Sequence, residues 1–442
     1  MAKILISSLG TGRYKARGEY EPTTYKFQDS DKLYSTSFVA TALSEHLQVD
    51  RLYLIGTSKS MWDEVYQYFT NASDYPFNEE YWAELGERVI SYKLGQEKIN
   101  ADELREVNNA IDAYLKFLKS SATGGSQCFI IDYGINESEV WQNFDLFMRI
   151  GEDITENDEV YLDITHGFRS IPLFNYLMLD LISILKFKNN FKLAGLFYGM
   201  LDVSREIGYT PIVDLSPLYN ITLWTRGAYN FINFGNGYQL ADVIDNPSIS
   251  GKISDISDMA NLNYVKDFKM EVDRLEFLLS QQQTTEHIIK YMQPYLGQFI
   301  SYFKGVSSSS ELQLVLAKWY FENKRFSQAY ICLAESIISK LLEIYREKDV
   351  SIGWTLSNRK KIKDLIFNYL QNSEFSNIHK EYDIINRRRN KIAHAGFLDG
   401  DTYKTCIEDF CNKLNNVERY VFKNNALKKI PELFSFNRLR AY

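Results

Sequence analysis

The sequence predicts an α/β domain followed by an all-α domain, and three observations predict it. Short apolar runs recur through residue 215, bounded by Gly, Asp or Asn, with helical patterns between them. Beyond about residue 260 no run of strand type occurs, and amphipathic helices follow one another to the C-terminus. The 442 residues are 45% hydrophobic and 15% aromatic, which supplies two or three packed cores and argues against global disorder.

Taken in order, residues 3–9 (KILISSL) read as a strand that ends in the loop Gly10-Thr11-Gly12. Residues 35–47 read as a helix, with Ser35, Thr36 or Ser37 as N-cap candidates. Further strands fall at 51–56, 128–133, 159–164 and 193–201, with a last short one at 212–215. Helical patterns at 137–150 and 170–187 separate them, so the expectation is a Rossmann-like parallel sheet with helices on both faces. Residues 59–125 read as a helical insertion.

After 212–215 comes a helix through Trp224. Gly235, Gly237 and 246–255 (NPSISGKISD) read as a hinge region. Helices are expected at 262–303, 311–322, 326–346, 358–371, 376–394 and 401–421, the second and third as a hairpin. The expected organisation is therefore 1–235 as the α/β domain, 236–300 as a helical linker and 301–442 as the terminal helical domain.

A net charge of -7 excludes a general nucleic-acid coat, so any RNA contact must come from a local patch. The 4 cysteines form no CxxC pair, and no metal site or disulfide framework is expected. The N-terminal apolar run is short and lacks a cleavage site, and the apolar stretch 171–185 contains Asp180. A soluble, cytoplasmic protein with no membrane partner is expected.

Ligands of open α/β sheets bind at the C-terminal strand ends. Three loops there are chemically unusual: Ser8-Leu9-Gly10-Thr11-Gly12-Arg13, Gly56-Thr57-Ser58-Lys59, and Asp163-Ile164-Thr165-His166-Gly167-Phe168-Arg169-Ser170. Small residues admit a ligand to the backbone, hydroxyls and N–H groups donate to phosphate oxygens, and Arg169 offers a cation. The first loop is not a dinucleotide fingerprint, because Lys15 stands where GxGxxG needs glycine. Each loop alone is also consistent with an ordinary glycine turn, with Asp163 capping the backbone and His166 packing.

Asp163-Ile164-Thr165-His166-Gly167 matches the DxTHG signature, and Phe168 to Pro172 extends the match. On these residues the chain resembles the CRISPR-associated DxTHG proteins, the Csx1/Csx2-like and Csm6-related CARF–HEPN ribonucleases of type III systems. The resemblance covers roughly 1–235. It implies a CARF sensor domain that pairs about a twofold axis and binds a cyclic oligoadenylate, four adenylates favoured and six next. The ligand would face Gly10, Thr11, Gly12, Arg13, Gly56, Thr57, Ser58, Asp163, Thr165, His166, Gly167 and Arg169. No other cofactor is implied.

Residues 387–396 (RRRNKIAHAG) read as a helix end, with Gly396 just past it. Asn390 and His394 are four apart and share a face, with Arg389 at its edge. Metal-free RNA cleavage needs a proton acceptor, a proton donor and a cation at the phosphorane. Histidine suits the first two and arginine the third. A basic helix end that favours its own dipole would look the same. From 386 to 442 there are 12 Lys and Arg against 6 Asp and Glu, a local net +6.

Arg389-Asn390-Lys391-Ile392-Ala393-His394 resembles the R-x4–6-H motif of HEPN ribonucleases, over roughly 300–442. That similarity implies catalysis by Arg389, Asn390 and His394, a single-stranded RNA substrate, a 2′,3′-cyclic phosphate product and a homodimer, with higher oligomers open. His46, His287 and His379 read as structural, His379 being the nearest auxiliary, and Glu335 as a supporting group. The rival is a sensor or regulator with no catalysis, acting through DNA or a partner.

Overall fold

The computed structural model describes residues 2–11, 22–155, 157–166, 170–185, 192–281 and 287–441. The chain divides into two compact units, Met1–Tyr219 and Asn220–Tyr442.

The first unit runs β1 (Lys3–Ser8), β2 (Thr23–Phe27), β3 (Leu33–Thr36), α1 (Val39–Leu47), β4 (Arg51–Gly56), α2 (Trp62–Asn71), α3 (Glu79–Ser91), α4 (Arg105–Leu118), β5 (Gln127–Ile130), α5 (Glu137–Asp153), β6 (Glu159–Asp163), α6 (Ser170–Leu185), β7 (Lys192–Gly199), α7 (Ser204–Ile207) and β8 (Thr210–Asp214). Helix α8 (Ser216–Phe234) carries the chain across the division.

The sheet order is β3-β2-β8-β7-β6-β1-β4-β5. Strands β7, β6, β1, β4 and β5 are mutually parallel, as expected. The sheet as a whole is mixed rather than parallel, because β8 runs antiparallel to β7 and β3 antiparallel to β2. The connection from Gly199 to Thr210 carries only short helical turns, too little for the helical crossover a parallel return needs. β2 and β3 were not foreseen as strands. The expected helix at 35–47 begins at Val39, and Thr36 closes β3 instead of capping it, its hydroxyl bonded to that of Thr41 at 2.6 Å.

Both sheet faces are covered, which is why the central strands read as continuous apolar runs. Alternation puts Leu5, Leu52, Leu54 and Tyr161 in one core with α1 to α4. Ile4, Ile6, Tyr53, Ile55, Val160 and Leu162 lie in the other, with α5 and α6. The 59–125 segment is thus a crossover of three helices that builds one layer together with α1.

The second unit continues with α9 (Tyr238–Val243), α10 (Pro247–Leu262), α11 (Phe268–Ser280), α12 (His287–Ser301), α13 (Ser309–Glu322), α14 (Phe326–Lys348), α15 (Leu356–Asp364), α16 (Ser376–Ala393), α17 (Tyr403–Glu408), α18 (Phe410–Val417) and α19 (Ile430–Leu433). One hydrophobic core runs from Ala228 to Leu439, so the helices of 236–300 pack into the same body as those beyond 301.

The expected hinge is instead well-formed helix. Asn246 caps α10 by accepting from the Ser248 and Ile249 amides, with Pro247 in the first turn, where its missing N–H costs nothing. Gly235 ends α8 at φ 63°, and a Cβ on Gly237 would stand 2.4 Å from Ile253 Cγ2. These glycines serve termination and close packing. Among the described residues no helix is long and apolar enough to cross a membrane.

Candidate functional site

In the first unit, β1 and β6 are paired so that Ser7 lies opposite Asp163. The Asp163 carboxyl is fully buried and accepts from the Ser7 hydroxyl at 2.5 Å, the Thr165 amide at 2.9 Å and the Thr165 hydroxyl at 2.5 Å. The Thr165 hydroxyl in turn accepts from the Gly199 amide at 2.7 Å, tying the loop to the end of β7. Burial pushes the Asp163 carboxyl above the usual carboxylate range, against the pull of these donors and of His166.

His166 lies beside Gly10, where a Cβ would meet its Cβ at 3.7 Å and Nδ1 at 3.8 Å, so the first and third loops adjoin. Its Nε2 is shielded from solvent and has no hydrogen-bond partner among the described residues. Burial pushes His166 below the ordinary histidine range, opposed by the Asp163 charge.

The second loop braces the first. Ser60, which sequence reasoning missed, accepts from the Thr57 amide at 3.0 Å and donates to the Leu9 carbonyl at 2.8 Å, while the Met61 amide donates to Gly10 at 3.1 Å. Gly56 is required for this, since a Cβ would stand 2.7 Å from Ser60 Oγ and Trp62 Cζ2. The Thr57 and Ser58 side chains are buried and face inward, accepting from the Lys59 amide at 3.3 Å and the Ile99 amide at 3.2 Å. Of the described predicted ligand residues, Gly10, Thr165 and His166 are half-buried and Thr11 is exposed, while Gly56, Thr57, Ser58 and Asp163 are buried. Gly12, Arg13, Gly167 and Arg169 lie outside the described residues.

In the second unit, the three successive arginines of α16 have three different fates. Arg387 is exposed and pairs with Asp383 at 3.1 Å. Arg388 is buried between Asp401 at 2.6 Å and Asp409 at 2.8 Å, a structural cross-link to α17 and α18. Arg389 turns the other way. It donates to the Asn390 side-chain oxygen at 2.9 Å and to Glu335 of α14 at 3.4 Å, and its shielded Nε has no partner among the described residues.

Glu335 also grips Arg359 of α15 in a short ion pair. Lys363, one turn along α15, faces the same cluster: burial, then the charges of Arg389, Arg359 and Lys360, push its ammonium below the usual lysine range. Tyr382 is fully buried with its hydroxyl unpartnered among the described residues, and burial pushes it up to about 12. Sequence reasoning missed Arg359, Lys363 and Tyr382. The i, i+4 spacing of the first two was the available signal.

His394 closes α16 with its amide bonded to the Asn390 carbonyl at 2.9 Å. Ala395 at φ 53° and Gly396 at φ 81° then turn the chain away. The His394 side chain is exposed, without a hydrogen-bond partner among the described residues. His379 instead faces the Ile366 carbonyl at 3.2 Å and the Phe367 ring. His46 stacks on Phe27 at 3.7 Å and contacts Asp29 at 3.3 Å. The His287 side chain lies outside the described residues. Among the described residues no group of three or more His, Cys, Asp and Glu could hold a metal ion.

Comparison with known proteins follows the same division. Residues 4–202 match the CARF domain of CRISPR system endoribonuclease Csx1. Residues 220–309 match the second domain of CRISPR-associated protein MJ1674, starting where the second compact unit starts. CRISPR-associated protein MJ1674 of Methanocaldococcus jannaschii is 40% identical over 429 residues, covering 94% of this chain. The chain spans 66% of that relative's length. The solved structure of Enterococcus italicus Csm6 bound to cyclic hexa-2′-fluoro-hexa-dAMP matches with a TM-score of 0.41 at 13% identity, over 99% of each chain. A CARF-type mixed sheet carrying the DxTHG loop, joined to the helical second domain of a close relative, places this chain among the Csx1-like, CRISPR-associated CARF proteins.

Proposed function

We propose that the chain is a cyclic oligoadenylate-activated endoribonuclease of type III CRISPR defence. In this reading the strand-end loops around Gly10, Thr11 and His166 receive the cyclic ligand, a ring of four adenylates ahead of six. Residues 301–442 act as a HEPN ribonuclease domain on single-stranded RNA, in the cytoplasm, as a homodimer. The observation that carries it is the end of α16. Of three successive arginines, Arg389 alone joins a cluster with surplus positive charge, and an exposed His394 stands one turn beyond Asn390.

The chemistry follows from those groups. A neutral imidazole takes the 2′-OH proton, and the 2′-oxygen attacks phosphorus. Arg389 stabilises the charge that develops there, and an imidazolium protonates the departing 5′-oxygen, leaving a 2′,3′-cyclic phosphate. A single histidine cannot be base and acid in one step, so the dimer supplies the second. Asn390 holds one side of the Arg389 guanidinium and fixes the direction of its fork.

The test is cleavage of a fluorescent single-stranded RNA in EDTA, with and without cyclic tetra- or hexa-adenylate. Ligand-dependent cutting, reduced roughly 10²–10⁴-fold in His394→Ala, is expected. Ligand binding with no cutting under any condition would sink the ribonuclease reading and leave a sensor with another output.

A further inference from the structure

We propose that Arg359 and Lys363 of α15, beside Arg389 of α16, form a subsite that grips a second RNA phosphate next to the bond to be cut. The proposal rests on reading the Arg389 centre as the ribonuclease site.

The cluster contains more cations than its protein partners neutralise. Arg359 and Arg389 converge on the two oxygens of a single carboxylate, Glu335. Their side chains are only 22% and 24% exposed, so water screens them poorly. Lys363 joins them half-buried, and among the described residues it has no ion pair of its own. Like charges held this close, partly out of water, disfavour one another unless an anion enters.

Two further atoms lack partners. Among the described residues Arg389 Nε is shielded and donates to nothing, and the hydroxyl of fully buried Tyr382 has no partner. Both the Arg389 and Arg359 charges act on Tyr382, which places the three groups in one locality.

A phosphodiester fits the shortage. It carries one charge and presents two oxygens to guanidinium forks, the geometry arginine matches best. In the RNA-free protein Glu335 stands in for that anion. It holds Arg359 tightly but Arg389 only at 3.4 Å, so Arg389 is the arm released first when RNA arrives. Arg359 and Lys363, four residues apart, present adjacent cations on one face of α15. That face suits the neighbouring phosphate of a single strand rather than the scissile one.

The experiment uses the full-length, ligand-activated protein, with Lys363→Gln, Lys363→Arg and Arg359→Gln. Substrates are a dinucleotide with one phosphate and a decamer. For the decamer, Lys363→Gln should raise KM about tenfold with kcat within twofold, the loss of one charged contact. The dinucleotide should be unaffected and Lys363→Arg should restore the decamer KM. The slope of log KM against log salt should fall by about 0.7 per contact removed. An equal loss on both substrates, or an unchanged decamer KM and slope, overturns the subsite. RNA binding followed by fluorescence anisotropy separates this from the cleavage reading. Weaker binding by Lys363→Gln without cleavage by wild type keeps the subsite and removes the ribonuclease. Absence of any RNA binding by wild type removes the subsite.

Discussion

The two polar centres of this protein are built on opposite accounts of charge. In the first unit one buried carboxylate, Asp163, is surrounded by neutral donors: two hydroxyls and a backbone amide. The loop it holds offers a ligand backbone, a hydroxyl and one shielded imidazole. In the second unit one carboxylate, Glu335, is shared by two guanidiniums with an ammonium nearby. Among the described residues each centre leaves a shielded nitrogen unpaired, His166 Nε2 in one and Arg389 Nε in the other. The first is locked by internal hydrogen bonds before any ligand comes. The second, among the described residues, sets two guanidiniums and an ammonium against one carboxylate.

The largest test of that contrast is Asp163→Ala. It strands Ser7 and both donors of Thr165 in the buried end of the sheet, and should cost about 3 kcal/mol. Hydrogen exchange at the amides of β1 and β6 would report it, and added inorganic phosphate should not restore it. Glu335→Gln should cost about 1–2 kcal/mol in the second unit, by leaving the cations uncompensated. Here phosphate should recover part of the loss, because it replaces the missing anion. Recovery of Asp163→Ala by phosphate, or none for Glu335→Gln, would erase the distinction.

Protonation sharpens it further. His166 has a folded-state value lowered from 6.5, so its contribution is complete above 6.5 and is lost as pH falls below it. Asp163 is raised from 3.8, so its contribution runs the other way and weakens as pH rises above 3.8. Moving from about pH 7.5 to about pH 5.5 should therefore destabilise wild type more than His166→Gln, by at most about 1.4 kcal/mol. Equal pH dependence in the two would mean that His166 is already solvated. The smallest effect is expected at Arg387→Gln, within about 0.5 kcal/mol, since that side chain is 68% exposed. Urea titration of both variants would check these two values.

Much of the fold was legible because local pattern and tertiary role coincide. The central strands are buried on both faces and read as apolar runs, and the later helices carry regular apolar stripes. What failed to read lies where geometry is set from a distance. β2 and β3 are short and mixed in polarity, and they exist because β8 offers an edge. The glycines of 235–237 suggested a hinge, yet one ends a helix and the other admits Ile253. In the candidate sites, Arg389, Asn390 and His394 were legible as a motif. Ser60, Arg359 and Lys363 were not, because nothing near them in sequence says which loop or helix they meet.

The sequence by itself determined the order of the two kinds of domain, the apolar strands, the DxTHG loop and the helical spacing that brings Asn390 and His394 to one face. These depend on residues a few positions apart, where backbone periodicity governs proximity. Only the tertiary structure decided which of Arg387, Arg388 and Arg389 is surface, cross-link or candidate site. It alone set Glu335, Arg359 and Lys363 beside Arg389 and turned Thr57 and Ser58 inward. Those outcomes depend on helices and strands distant along the chain, and so on packing and desolvation that no local pattern encodes.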